Sequence, residues 1–370
     1  MTTQQIYTIV NEVNAEAFGT NAISVVDTSS LISLGNTVLS SSTNTEAFLN
    51  TFCQRIGRTI LRFRDYRNKL GDMVLNDFEY GAILQKIYVY MPKAEEDQSY
   101  DLVDGQSVDH YEVAKPNVDQ KLFVTRTPYQ FKVTIQDEHL KEAFLSESAM
   151  GGFIATVFGQ VRNAIECSLE NLGRVTLATA IAECAGTTRM IDLVTLYNSL
   201  YSATLDAVTC QNDPDFMRFA MSTINTSIDG IQDMSTLYND GSLETFTPRE
   251  DIRVKVISSF MRRLETVVEY AAFHDQFVRP DADITRINYW QSAQDPMDIK
   301  ITRPSDQDSV SRGNVVCLIH DRDAMGVYKM DERVATTPLN AAGLYYNTIY
   351  HLKDLRFLDK SENFICFTLN

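Results

Sequence analysis

An α+β fold is predicted by three features of the sequence. Two short runs alternate strictly between apolar and polar residues, near 85–91 and 129–135. A helical period starting near Ala149 holds one apolar face over about five turns. Beyond it, short strand patterns and amphipathic helical patterns take turns before the chain ends in further strand-like runs.

Residues 1 to about 42 show no sustained helical or strand period, and Ser, Thr and Asn dominate from Thr28 to Asn44. They are expected to form an extended arm or a flexible tail. A helix is expected from Thr43, with Thr43 as N-cap and Glu46 completing a capping box. Phe48, Leu49, Phe52, Ile56 and Ile60 then give it one apolar stripe.

The run from Gln85 to Met91 places Ile87, Val89 and Met91 on one face. The second run places Tyr129, Phe131, Val133 and Ile135 opposite Gln130, Lys132 and Thr134. These two strands are expected to pair in one long hairpin. The segment between them is acidic, carrying Glu95, Glu96, Asp97, Asp101, Asp104, Asp109, Glu112 and Asp119. An isolated two-stranded hairpin is marginal in water, so this one must lean on something, and a neighbouring subunit is one candidate.

Gln136 to Ser146 is expected to form a short helix, with Asp137 and Glu138 near its positive N-terminal end. From Ala149, the residues Phe153, Ile154, Val157, Phe158, Val161, Ile165, Leu169 and Leu172 share a face, and the pattern weakens past Gly173. Carried to about Ala185, this helix would be ~50 Å long. Met190 to about Arg322 alternates helices (Asp192 to Val208, Pro214 to Ile228, Ser258 to Phe277) with strands (Arg253 to Ile257, Ile284 to Trp290, Val315 to His320). Gly343 to Phe357 and Asn363 to Thr368 complete the strand-like runs.

Composition narrows the function classes. The 370 residues are 44% hydrophobic and 22% charged, as in ordinary globular chains, and allow two or three folding units. The first twenty residues lack the basic and apolar regions of a secretory signal, and apolar runs such as Val315 to Ile319 are far short of the ~20 residues of a membrane span. The formal net charge of −16 argues against gripping DNA phosphates, which takes a basic patch. None of the six cysteines (Cys53, Cys167, Cys184, Cys210, Cys317 and Cys366) forms a C-x-x-C pair, which points to buried free thiols.

There is no phosphate loop, dinucleotide fingerprint or nucleophile elbow, and His110, His139, His274, His320 and His351 form no metal-binding pair. The best acidic candidates, Asp281 with Asp283 and Asp321 with Asp323, are weighed as cation ligands and as turn residues ion-paired to Arg279 and Arg322; the second reading is preferred. Tyr345, Tyr346 and Tyr350 are expected in the core and on a sheet face, since no interleaved lysine or arginine accompanies them for base stacking. No catalytic residue, cofactor or metal is therefore expected.

Three stretches resemble the major capsid proteins of phi-29-like short-tailed phages: Ile83 to Met91 continuing to Lys115–Val118, Thr134 to Phe144, and Gly343 to His351. The order of parts likewise resembles the Hong Kong 97-type capsid fold. That resemblance implies an N-terminal arm (1–42), an N-terminal helical segment of the P-domain (43–78), an E-loop hairpin (79–135), a spine helix of the P-domain (136–187), an A-domain (188–325) and C-terminal P-domain strands (326–370). It implies self-assembly into pentamers and hexamers forming an icosahedral or prolate shell around double-stranded DNA. Scaffolding protein, portal and other head proteins are implied as partners. Contact with the packaged DNA is expected to be weak, in keeping with the acidic balance, and assembly would take place in the host bacterial cytoplasm. Some members of the group carry a further immunoglobulin-like domain; this chain is expected to lack it. The acidic hairpin tip (Glu95, Glu96, Asp97, Asp101 and Asp104) is expected to meet the basic residues Arg62, Arg64 and Arg67 of another copy. The alternatives are an encapsulin-type compartment and a metal-dependent hydrolase built on Asp281, Asp283 or Asp321.

Overall fold

The computed structural model describes residues 3–19, 22–56, 66–75, 84–94, 103–105, 107, 111, 113, 115–155, 159–271 and 282–370. Along the chain the helices are α1 (Thr3–Phe18), α2 (Thr28–Val38), α3 (Ser42–Ile56), α4 (Asp137–Ala143), α5 (Glu147–Ile154), α6 (Gln160–Cys184), α7 (Leu193–Tyr201), α8 (Pro214–Ile231) and α9 (Ser258–Ala271). The strands are β1 (Val74–Leu75), β2 (Leu84–Val89), β3 (Val118–Phe123), β4 (Arg126–Gln136), β5 (Met190–Asp192), β6 (Ile252–Ile257) and β7 (Asp283–Ile287). They continue as β8 (Ile299–Thr302), β9 (Ser309–Arg312), β10 (Val315–Asp321), β11 (Met325–Thr336), β12 (Tyr345–Leu358) and β13 (Phe364–Thr368). Two compact units result, one of Met1–Tyr80, Arg126–Gly173 and Val327–Arg356, the other of Gly81–Thr125, Arg174–Gly326 and Phe357–Asn370.

The first unit joins helices to a four-stranded sheet of order β1-β11-β12-β4. The alternation of β4 does what its period predicts. Ile135 is buried, Tyr129, Phe131 and Val133 pack against the core, and Gln130, Lys132 and Thr134 face solvent. β12 pairs antiparallel with β4 from Tyr345↔Gln136 to Leu355↔Arg126, adding Tyr346, Tyr350 and Leu352 to the same core face. This corrects the expected pairing of 85–91 with 129–135. The aromatic face of β4 needs an apolar neighbour of equal length, and β12 supplies one.

The segment 1–42 is not an extended arm. α1 and α2 are helices whose Ile6, Val10, Val13, Leu31 and Leu34 are buried with Phe48, Leu49 and Phe52 of α3. The apolar positions recur at helical spacing, but asparagines with structural roles dilute the pattern. The side chain of Asn11 donates to Val25 O (2.8 Å) and accepts from Val25 N, and Asn14 donates to Ile23 O, tying the linker to α1. α2 opens with a capping box built from Asp27 and Ser30. α3 starts at Ser42, where Ser41 Oγ accepts from Asn44 N at 3.2 Å, so Ser41 and not Thr43 caps it. Phe48, Leu49 and Phe52 of its stripe pack as expected, with Phe48 5.4 Å from both Phe52 and Phe144 between ring centres. Ile60 lies outside the described residues.

The expected single helix from Ala149 is two described elements, α5 and α6, with 156–158 outside the described residues. The 25 residues of α6 span about 37 Å. The period fades after Gly173 because the helix becomes enclosed on every side: Thr176 through Ala182 are all buried, many of them small. On its earlier turns, Glu170 receives Tyr66 Oη at 2.5 Å and Lys69 N at 3.2 Å, pinning 66–70 along the helix.

The second unit is built on a five-stranded sheet of order β5-β13-β10-β6-β7, in which every residue of β10 and β13 is buried. β13 thus parts from β12, although the sequence grouped 326–370 together. α7 ends at Tyr201 with Ser202 in the left-handed region (φ 52°), well before the expected Val208. Asp213 caps α8 with Pro214 in the first turn. Trp290 is fully buried and donates its indole N–H to Val315 O at 2.8 Å. Cys184, Cys210, Cys317 and Cys366 are buried free thiols, and burial pushes Cys184 and Cys210 up to about 12. Cys167 is exposed.

Candidate functional site

The β2–β3 hairpin leaves an aliphatic face exposed. Leu84, Lys86 and Tyr88 face the unit, while Ile87 (63% exposed) and Val89 (61%) point away. The register Val89↔Val118 and Gln85↔Leu122 puts Val118 (52%) and Leu122 (53%) on that same outer face. Met91 and Val124 extend it at either end. Sequence reasoning identified Ile87, Val89 and Met91 as one apolar face; the structure leaves that face uncovered.

The inward face is held by charge. Lys86 Nζ lies 3.3 Å from Asp359 and 3.4 Å from Glu362, and it also donates to Asp323 O. Lys121 Nζ lies 3.4 Å from Asp359 and 3.9 Å from Asp240, and donates to Ser361 Oγ. Tyr88 Oη donates to Asp359 as well. Phe357 packs against Phe123 at 5.7 Å between ring centres and lies under the Lys86 ammonium. Burial raises the Glu362 carboxyl above its usual range despite Lys86. Nothing in the local sequence flagged this seat, since Asp359 lies far along the chain from both lysines.

The proposed contact residues are only partly visible. Asp104 and Arg67 are exposed; Glu95, Glu96, Asp97, Asp101, Arg62 and Arg64 lie outside the described residues. The acidic candidates do not converge. Asp283 is exposed and pairs with Arg253 at 3.6 Å, Asp281 lies outside the described residues, and Arg322 reaches Asp251 (3.9 Å) instead of a flanking aspartate. Asp321 is buried at the end of β10, accepts from Asp323 N at 2.7 Å, and burial raises its carboxyl. Among the described residues no group of three or more His, Cys, Asp or Glu side chains is placed to hold a metal ion. Likewise no described helix is long and apolar enough to cross a membrane.

The family model for the Phi29-like phage major capsid protein matches residues 6–368. The chain belongs to that family. Two relatives in this Phi29-like group, the major capsid proteins of Bacillus phages PZA and B103, are 22% identical over 339 residues and 23% identical over 375. The alignments cover 90% and 98% of this chain, and the chain spans 66% and 72% of those relatives' lengths. The capsid structure of Staphylococcus phage Andhra matches with a TM-score of 0.54 at 10% identity, covering 84% of this chain and 87% of that one. A chain from the structure of the head fiber and inner core protein gp22 of native bacteriophage P68 matches with a TM-score of 0.52 at 12% identity, with the same coverages. The fold is the α+β Hong Kong 97-type capsid fold. Membership of the Phi29-like family selects a phage capsid lineage over the encapsulin and hydrolase alternatives.

Proposed function

We propose that this chain self-assembles into pentameric and hexameric capsomers that form the head shell of a tailed phage around its double-stranded DNA. The observation that carries the reading beyond family membership is the hairpin's outward apolar face. Exposed apolar surface of this kind costs free energy in a monomer and is stabilising once a neighbour covers it, at about 25 cal/mol per Å². In the terms of the fold, the hairpin and its acidic connection (within 79–135) act as the E-loop and lie across the next subunit of the capsomer. α6 lies within the spine segment (136–187), and 188–325 acts as the A-domain around the capsomer centre. P-domains built from 43–78, the spine segment and the Val327–Arg356 part of 326–370 meet between capsomers, while β13 joins the sheet of the second unit, and 1–42 serves as the N-terminal segment.

The acidic residues Glu95, Glu96, Asp97, Asp101 and Asp104 set register against Arg62, Arg64 and Arg67 of a neighbour. Exposed pairs contribute about 0–1 kcal/mol each, so strength comes from the apolar contacts repeated in every copy. The role is structural, without catalysis, cofactor or metal. Scaffolding protein, portal and other head proteins act as partners during assembly in the host cytoplasm. The acidic wall keeps contact with the packaged DNA weak, because it offers few cations to displace counterions.

The test is deletion of Glu95 to Val113 in the full chain. The expected product is a soluble subunit with the wild-type melting transition that forms no closed particles. Replacing the five tip carboxylates with Asn or Gln should leave particles that form only at higher protein concentration. Normal shells from the deletion variant would sink the E-loop assignment.

A further inference from the structure

We propose that Asp359 is a latch that holds the β2–β3 hairpin in one pose, with its apolar face presented to a second copy of the chain. The proposal rests on the assembly reading above and adds the device that prepares the subunit for it.

Lys86 and Lys121 are directly opposite one another across the two strands. Like charges at such positions repel, so the hairpin by itself is disfavoured in this pairing. Asp359 sits between them at 1% exposure, taking Lys86 on Oδ2 at 3.3 Å and Lys121 on Oδ1 at 3.4 Å. The Tyr88 hydroxyl donates to the same carboxylate, and Ser361 N donates to Oδ1 at 3.1 Å. One carboxylate thus ties both strands of the hairpin to the turn that follows β12.

The same contact decides which face of the hairpin is left outside. A free amphipathic hairpin in water turns its apolar side toward the protein and its lysines toward solvent. Here the two lysines face inward to Asp359, among Leu84, Tyr88 and Phe123, while the aliphatic Ile87, Val89, Val118 and Leu122 face outward. Turning both lysines inward requires a strong partner for them. A buried carboxylate meeting two ammonium groups and a hydroxyl is such a partner, because charge-assisted bonds strengthen as water is excluded. The latch therefore lowers the ordering cost that a loose hairpin would otherwise meet on docking.

The test uses the full chain below its assembly concentration, comparing wild type, Asp359→Asn and the hairpin-side double variant Lys86→Gln/Lys121→Gln. The double variant alters partly buried side chains outside the five-stranded sheet, so it remains informative if Asp359→Asn folds poorly. Backbone amides of 84–89 and 118–123 are expected to exchange with deuterium about tenfold faster or more in the variants, with amides of β10 and β13 unchanged in the double variant. The protein concentration needed for particle formation is expected to rise by about tenfold or more. Unchanged exchange in the double variant would overturn the latch. Faster exchange with an unchanged assembly concentration would overturn its preparatory role. A wild-type chain that forms no particles would instead overturn the assembly reading itself.

Discussion

Asp354, on the core face of β12, shows how a single residue ties the stability of the first unit to pH. It is 2% exposed and accepts a hydrogen bond from the Tyr129 hydroxyl. Burial raises its carboxyl above the ordinary value of 3.8, against the pull of Tyr129 and Lys329. The folded state therefore keeps the proton after the unfolded chain has released it. This contribution to stability is fully present below 3.8 and is lost as pH rises through the raised folded value. Asp354→Asn keeps an acceptor for Tyr129 and removes the titration. Its stability relative to wild type should therefore improve as pH rises above about 4, read from urea midpoints. Parallel profiles would contradict the assignment. At this scale the sequence was legible where period speaks for burial, as at Phe48, Leu49 and Phe52. It was silent at Asp359, because the lysines that reach it are brought there by folding and no local pattern records the meeting.

At the scale of elements, the two N-terminal helices are the largest departure from expectation. The polar stretch from Thr28 to Asn44 hides α2, in which the hydroxyls of Ser33 and Thr37 bond back to the helix backbone, Ser33 Oγ to Ser29 O and Thr37 Oγ1 to Ser33 O. The apolar stripe is narrow but completely buried at Leu31, Leu34 and Val38. α2 lies so close to the residue after α4 that a Cβ on Gly35 would stand 2.7 Å from Phe144 Cβ. Gly35→Ala should accordingly destabilise the first unit by about 1–3 kcal/mol, measured by thermal or denaturant unfolding, although alanine is the better helix former. A neutral or stabilising result would restore the extended-arm reading. The hairpin shows the opposite kind of error. Its strands and its apolar face were legible from alternation, but alternation cannot say which face a protein covers with itself and which it leaves for another chain.

For the whole molecule, family membership and the uncovered hairpin face both point to association with identical copies. In a closed shell every subunit presents the same patches, so a modest apolar contact is multiplied by symmetry. The order of parts along the chain carried the fold resemblance, whereas the division into two units was harder to see: the first unit is made of three separate stretches of sequence and the last strand leaves β12 for the other sheet. Electron microscopy of the purified chain, alone and co-expressed with the scaffolding protein of its own genome, tests the central claim most directly. Closed particles of one size, built from pentamers and hexamers of this chain, are the expected result; monomers at every concentration in both preparations would contradict it.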